Sequence, residues 1–276
     1  MTSRRPVGNP IALITGASSG IGREMACQLA ARHCELVLVG RRRAELDQLA
    51  DRLRTEHGIQ VHAIAIDLGN TGAAAQLYDE VQQLGIAIDW LVNNAGVGLY
   101  GDHAVLDRTE LEKMLQLNVV TVSTLCRLFG ADMLVRRSGK ILNIASTAAY
   151  QPSPYFAAYG ASKSFVLNFS EALAKEFEDR GVSVGCLSPG PTATGFFRAV
   201  DAQGIATSHF QHRDEPADVA RQGIELMLRG GLSKIVGRKN FLRALSTRFA
   251  PRSVVANISK RVLAASYKDG PTGGLS

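Results

Sequence analysis

Tyr159 and Lys163 stand four residues apart in Tyr159-Gly160-Ala161-Ser162-Lys163. On a helix that spacing puts both side chains on one face. A free phenol ionises near pH ~10 and is a poor acid–base group at neutrality. An ammonium beside it favours the phenolate and brings the phenol toward a working range. The pair is short and common by chance, and an ordinary surface helix explains most such spacings. Its weight comes from the other groups the chain carries and from their order.

The first of these lies near the start. Thr15-Gly16-Ala17-Ser18-Ser19-Gly20-Ile21-Gly22 follows the apolar run Ile11-Ala12-Leu13-Ile14 and precedes a helix-like stretch. A strand, a glycine-rich turn and a helix make a phosphate cradle. Glycines let the backbone approach a pyrophosphate, and the helix start offers free N–H groups at its positive end. The candidate contacts are Gly16, Ser18, Ser19, Gly20, Ile21 and Gly22. The next strand ends Val39-Gly40-Arg41-Arg42-Arg43, without the Asp or Glu that would hold a ribose 2′-hydroxyl. Guanidinium pairs with phosphate through two parallel hydrogen bonds. Arg41 first, and Arg42 next, therefore point to the 2′-phosphate of NADP(H) in preference to NAD(H), with Ser18 and Ser19 offering hydroxyls to the same group.

With these motifs in order, the chain resembles the short-chain dehydrogenase/reductase superfamily, including its bacterial and membrane-associated reductases with a basic tail. The resemblance runs over about residues 9–237. It rests on Thr15–Gly22, Asn93-Asn94-Ala95-Gly96, Asn118 in Leu117-Asn118-Val119, Ser146 thirteen residues before Tyr159, the Tyr159/Lys163 pair, and Pro189-Gly190 with Thr194. It implies that Asn118, Ser146, Tyr159 and Lys163 are catalytic. Tyr159 would protonate a carbonyl oxygen as hydride arrives from nicotinamide, and Ser146 would donate to that oxygen. Lys163 would hold the nicotinamide ribose and tune the phenol. Asn118 would bend its helix so that its carbonyl holds a water reaching Lys163. The resemblance also implies adenine contacts at Asp67 and Leu68, although Asp67 can equally cap the next helix. Asn94, Ala95 and Gly96 would lie beneath the cofactor, and Pro189, Gly190, Thr192 and Thr194 over the nicotinamide. The implied activity is NADPH-dependent reduction of a carbonyl on a hydrophobic substrate. The alternatives are an NAD-dependent alcohol or hydroxysteroid dehydrogenase and a catalytically silent nucleotide-binding scaffold. Related reductases are homodimers or homotetramers that pair through the helices expected at Arg108–Arg136 and Phe156–Arg180.

These residues need a scaffold, and the pattern supplies one. Strands are expected at Ile11–Thr15, Leu36–Gly40, Val61–Ile66, Trp90–Asn93, Lys140–Ala145, Ser183–Leu187 and Lys234–Val236. Helices are expected between them at Gly20–Arg32, Ala44–His57, Thr71–Leu84, Arg108–Arg136, Phe156–Arg180 and Pro216–Arg229. This alternation gives an α/β fold: a Rossmann-type doubly wound parallel sheet of about seven strands, with helices on both faces and a C-terminal helical tail. Such sheets bind ligands beyond the carboxyl ends of their strands. The glycine loop, Asp67, Asn93–Gly96, Ser146 and Pro189–Gly190 each follow a strand, so they converge on one edge.

A chain of 276 residues with 46% apolar content fits one such domain. Residues 1–8 read as a disordered lead, 9–237 as the catalytic domain and 238–276 as a basic helical extension. No apolar run approaches the ~20 residues of a membrane span. Cys27, Cys34, Cys126 and Cys186 form no Cys-x-x-Cys and have no histidine cluster nearby. They read as buried thiols of a cytoplasmic protein, with no metal site. The net charge of +6 is uneven: Gly231–Lys268 holds nine basic residues and no acidic one, leaving 22 basic against 25 acidic elsewhere. Pro251 divides the tail into two short helices with apolar stripes at Phe241, Leu242, Leu245 and Phe249, then Val254, Val255, Ile258, Val262 and Ala265. Such a tail packs on its own domain or a partner subunit, or attaches peripherally to an anionic membrane. No aromatic interleaving supports nucleic-acid binding. The expected substrate walls are Val97–Tyr100, Tyr150, Pro154–Phe156, Phe196–Phe197 and His209–Phe210, with residues 191–214 as a mobile lid.

Overall fold

Every residue of β1 (Ile11–Thr15) is buried, as a parallel strand covered on both faces requires. Its side chains alternate between two cores: Ile11 and Leu13 face one, Ala12 and Ile14 the other. The structure is a computed structural model that describes residues 8–194 and 214–264. Around β1 lie β2 (Glu35–Gly40), β3 (Val61–Ala65), β4 (Trp90–Asn93), β5 (Gly139–Ile144), β6 (Val182–Ser188) and β7 (Ser233–Ile235). They form one sheet ordered β3-β2-β1-β4-β5-β6-β7, and every strand pair is parallel. This is the expected doubly wound sheet. The chain starts in the middle, winds out to β3, then returns past β1 to β4, so the switch point lies between β1 and β4.

Helices α1 (Gly20–Ala30), α2 (Arg43–His57) and α7 (Pro216–Arg229) cover one face through Met25, Leu29, Leu46, Leu53, Ile224 and Met227. Helices α3 (Ala73–Gln83), α5 (Val122–Arg136) and α6 (Ala157–Phe177) cover the other through Leu77, Val81, Phe129, Met133, Val166 and Leu167. Local signals set the ends. Pro216 opens α7, where its missing N–H costs nothing. Gly58 closes α2 in the left-handed conformation, φ 64°.

The helix expected at Arg108–Arg136 is not one regular helix. It runs as α4 (Arg108–Leu115), a π-helical segment Gln116–Thr121, and α5. By length and composition this run could cross a membrane, which the sequence reading had not recognised. Its Val122, Leu125, Cys126, Phe129 and Met133 are nevertheless packed into the core beside the sheet. Beyond β7, α8 (Arg238–Ser246) and α9 (Arg252–Ala264) flank Pro251, the two-helix tail that the proline spacing predicts.

Candidate active site

A cleft of about 900 Å³ opens at the carboxyl ends of the strands, within the size range of small-molecule sites. Gly16, Ser18, Ser19, Gly20 and Ile21 line it from the turn after β1, and Arg41 and Arg42 from the end of β2. Asp67 and Leu68 follow β3, and Asn94, Ala95 and Gly96 follow β4. Ser146, Tyr159 and Lys163, then Pro189, Gly190, Thr192 and Thr194, complete that half. Of the sequence-predicted residues, Gly22 and Asn118 do not reach the cleft surface. Both shape it from behind.

Ser146 follows β5 and caps a single 3-10 turn, Thr147–Tyr150, its Oγ accepting from the Ala148 N–H at 3.2 Å. The same hydroxyl is hydrogen-bonded to Tyr159. Lys163 lies one turn further along α6 and is 5% exposed. Its Nζ donates to the Ile144 carbonyl at 2.9 Å and stands 5.9 Å from the centroid of the Tyr159 ring. Burial pushes the phenol up to about 12, against the opposing effect of the Ser146 bond. Burial likewise pushes the Lys163 amine down to about 8. The spacing had suggested that Lys163 brings the phenol down. The net direction is the reverse, because loss of water dominates both groups and the ammonium is directed at the Ile144 carbonyl.

Asn118 is fully buried in the π-helical segment. Its amide clamps Val97, with Nδ2 donating to the Val97 carbonyl at 2.9 Å and Oδ1 accepting from the Val97 N–H at 3.1 Å. Nδ2 also lies 3.1 Å from Ser162 Oγ, beside Lys163 on α6. The side chain thus locks the strand-β4 loop to the helix of Tyr159 and Lys163.

The other half of the cleft has the shape a dinucleotide needs. A Cβ on Gly20 would stand 2.9 Å from Thr194 Cγ2, and one on Gly96 would stand 3.1 Å from Lys163 Nζ. Gly22 is stricter: its Cβ would lie 2.4 Å from the Gly16 carbonyl oxygen and 2.5 Å from Asn94 Nδ2. Asn94 holds the loop, its Nδ2 donating to the Thr15 carbonyl at 2.9 Å. Thr15 Oγ1 in turn accepts from the N–H groups of Asn94 and Ala95. Arg42, not Arg41, touches Ser18: its Nη2 donates to Ser18 Oγ at 3.2 Å, and Nη1 pairs with Glu45 at 3.4 Å. Asp67 accepts from the Gly69 N–H at 3.0 Å and closes a turn; α3 starts only after Gly72, so Asp67 does not cap it. A bare-glycine floor with arginines at one end fits a phosphorylated dinucleotide.

The substrate end departs from expectation. Val97 and Phe156 line the cleft, but Tyr100 and Tyr150 stand one layer back. Tyr150 shares a hydrogen bond with Ser188 Oγ at 3.3 Å. Phe196, Phe197, His209 and Phe210 lie outside the described residues, as does most of the expected lid. At its base, the Ala193 N–H donates to the Asp214 carbonyl at 3.0 Å, so the two described ends are pinned together. Sequence reasoning had the tail packing on its own domain as one reading but did not place it at the site: Asn240, Arg243, Ala244, Thr247, Val255 and Ile258 all line the cleft. The apolar stripe of α9 was the signal, since it must cover something. Also missed was a buried polar ladder, Asn93 to Asn143 at 2.8 Å and Asn143 to Ser170 at 2.9 Å, which ties β4, β5 and α6 together.

The sequence model of the family described as short chain dehydrogenase matches residues 10–204. The chain is 35% identical over 190 residues to the very-long-chain 3-oxoacyl-CoA reductase of Anas platyrhynchos, covering 66% of this chain and 60% of that protein. Among solved structures, it is similar to a short-chain dehydrogenase from Sphingobium yanoikuyae in complex with NADPH, with a TM-score of 0.78, 30% identity, and 87% and 93% of the two chains covered. It is also similar to the bulky-bulky ketone specific alcohol dehydrogenase from Comamonas testosteroni, with a TM-score of 0.74, 28% identity, and 87% and 92% covered.

Proposed function

We propose that this chain, which belongs to the short-chain dehydrogenase family, is an NAD(P)-dependent oxidoreductase that reduces a carbonyl on a largely apolar substrate, using NADPH. One observation carries the reading: Ser146, Tyr159 and Lys163 meet at one end of a cleft whose other end has a glycine floor and two arginines. A nicotinamide cofactor in that cleft supplies the hydride. Tyr159 gives its proton to the carbonyl oxygen, and Ser146 donates to the same oxygen, fixing its direction. The phenol keeps its proton at neutral pH, as the acid of the reductive direction must, while burial, which pushes it up to about 12, makes it a weaker acid. Lys163 holds the cofactor ribose with its ammonium, and Asn118 steadies the helix that carries both groups. Arg41 and Arg42 select the 2′-phosphate, and the NADPH complex of the Sphingobium relative supports that preference. The relatives' names, very-long-chain 3-oxoacyl-CoA and bulky ketone, support a large apolar carbonyl compound.

The tail supports a second reading, peripheral contact with an anionic membrane. Phe249 is 82% and Leu242 62% exposed. Among the described residues, the ion pairs of Arg221 with Asp218 and Glu225 are the last along the chain. The cations of α8 and α9 thus have no acidic partner among the described residues, and the reading has them meet acidic headgroups.

A carbonyl panel followed by NADPH absorbance tests the main reading. Tyr159→Phe keeps the ring and removes the proton, so turnover falls by roughly 10²–10⁴-fold while NADPH affinity holds. Replacing Arg41 and Arg42 with alanine weakens NADPH by about tenfold or more and leaves NADH nearly unmoved. Near-normal turnover in Tyr159→Phe refutes the mechanism, and a wild type that prefers NADH refutes the cofactor.

A further inference from the structure

Helix α9 follows all seven strands, yet it borders the same cleft as Tyr159. Its Val255 and Ser259 are 9% and 5% exposed, and Ile258, Val262 and Leu263 line the cleft beside them. Tyr100, 4% exposed, lies in the loop after β4, and its hydroxyl donates to the Leu263 carbonyl at 2.6 Å. The bond fastens this stretch of α9 to the loop after β4. The Tyr100 ring stands edge-on to Phe156 at 4.7 Å, and Phe156 meets Tyr159 at 5.5 Å. An unbroken aromatic path thus joins the phenol to Leu263 on α9. Ile258 and Val262 are each 56% exposed although they line the cleft. Spacings of three and four put them in one row with Val255, about 10 Å long at the rise of a helix.

We propose that α9 is the roof of the substrate half of the cleft, fastened by the Tyr100–Leu263 bond, and that its Val255–Ile258–Val262 row receives an extended hydrocarbon chain. The inference rests on the reductase reading for its reaction and names what that site takes: a ketone or aldehyde bearing a long alkyl chain. A small or polar carbonyl compound leaves the row wet and gains nothing from it. Tyr100 is here a positioning residue. It touches neither substrate nor cofactor, and acts by keeping α9 over the chain of the substrate.

Two measurements test the proposal. The first is steady-state reduction of 2-alkanones from butanone to dodecanone with NADPH. Each methylene drawn under the roof raises kcat/KM by roughly threefold to fourfold until the row is filled. Ile258→Ala with Val262→Ala flattens that rise, and the loss on the longest ketones falls mainly in KM. The second measurement needs no turnover. Tyr100→Phe keeps the ring and removes the bond, so amide hydrogen exchange across residues 252–264 speeds up at least tenfold. Exchange in β1 and β5 holds, and so does NADPH affinity measured by titration. A chain-length rise that survives the double alanine variant overturns the roof, and unchanged exchange in Tyr100→Phe overturns the latch. If NADPH binds but no ketone turns over, the reductase reading fails separately. Calorimetric binding of the matching 2-alkanols to the NADP⁺-loaded protein then reads the same row: affinity that rises with chain length and falls in the alanine variant upholds the roof, and affinity indifferent to either sinks it.

Discussion

Lys163 serves the site at a cost to the fold. Its amine is buried, and burial brings it from 10.5 down to about 8. At neutral pH the folded protein holds an ammonium that the unfolded chain would keep in water. The unfolded state therefore binds the proton more tightly, and this group's contribution to stability rises as pH climbs from about 8 toward 10.5. Lys163→Met relieves the penalty. At pH 7 the variant is expected to be more stable than wild type, by up to about 3 kcal/mol, and to have lost turnover. The gap narrows by pH 10, where wild-type Lys163 is already neutral. Calorimetric melting across that range checks the sign. A wild type at least as stable as the variant at pH 7 would show that the bond to Ile144 outweighs the burial. The Tyr159/Lys163 spacing was legible in the sequence because a helix fixes which residues share a face. The direction of the phenol was not, because it depends on how much water the finished cleft excludes. The Asn93–Asn143–Ser170 ladder was illegible for a related reason: residues 50 and 27 apart meet only once the strands are paired.

At the scale of elements, strand and helix ends fell within a residue or two of expectation wherever an apolar run met a glycine or proline. The π-helical segment at Gln116–Thr121 was half legible: the resemblance implied a bend at Asn118, but the composition around it continues the helices on either side and gave no sign of the form the bend takes. The tail was half legible. Its stripes and the break at Pro251 were plain, but the surface they cover is assembled from β4, β5 and α6, far away in sequence. The turn after β1 carries the sharpest prediction. Gly22→Ala places a methyl group against the Gly16 carbonyl and the Asn94 amide at distances no carbon tolerates. The loop must move, costing about 1–3 kcal/mol of stability, and NADPH affinity falls with it. Denaturant unfolding and a cofactor titration measure the two losses. A variant with wild-type affinity would show that the loop does not define the phosphate site.

For the whole molecule, the exposed apolar residues fall into two groups. Val135 at 77%, Val120 at 46%, Phe165 at 38% and Leu115 at 37% lie on the path from α4 through α6, and Phe241 through Val262 lie on the tail. We propose the first group as the surface for pairing with a second copy. Light scattering at micromolar concentration is expected to show a dimer or tetramer, and Val120→Asp with Phe165→Asp to release monomer. A wild type that is already monomeric removes that assignment. The second group lies in the basic tail and includes Ile258 and Val262 of the roof over the cleft. That roof has a consequence for how the protein comes into being. The sheet is complete at Ile235, whereas Leu263, which Tyr100 fastens, emerges from the ribosome 28 residues later. At ordinary translation speed the delay is about one to six seconds. During that interval the nascent chain can acquire a nucleotide pocket before it has anywhere to hold a substrate. On the proposed function, a message truncated between those two points would direct synthesis of a protein that sequesters reduced nucleotide and never spends it on a long-chain ketone.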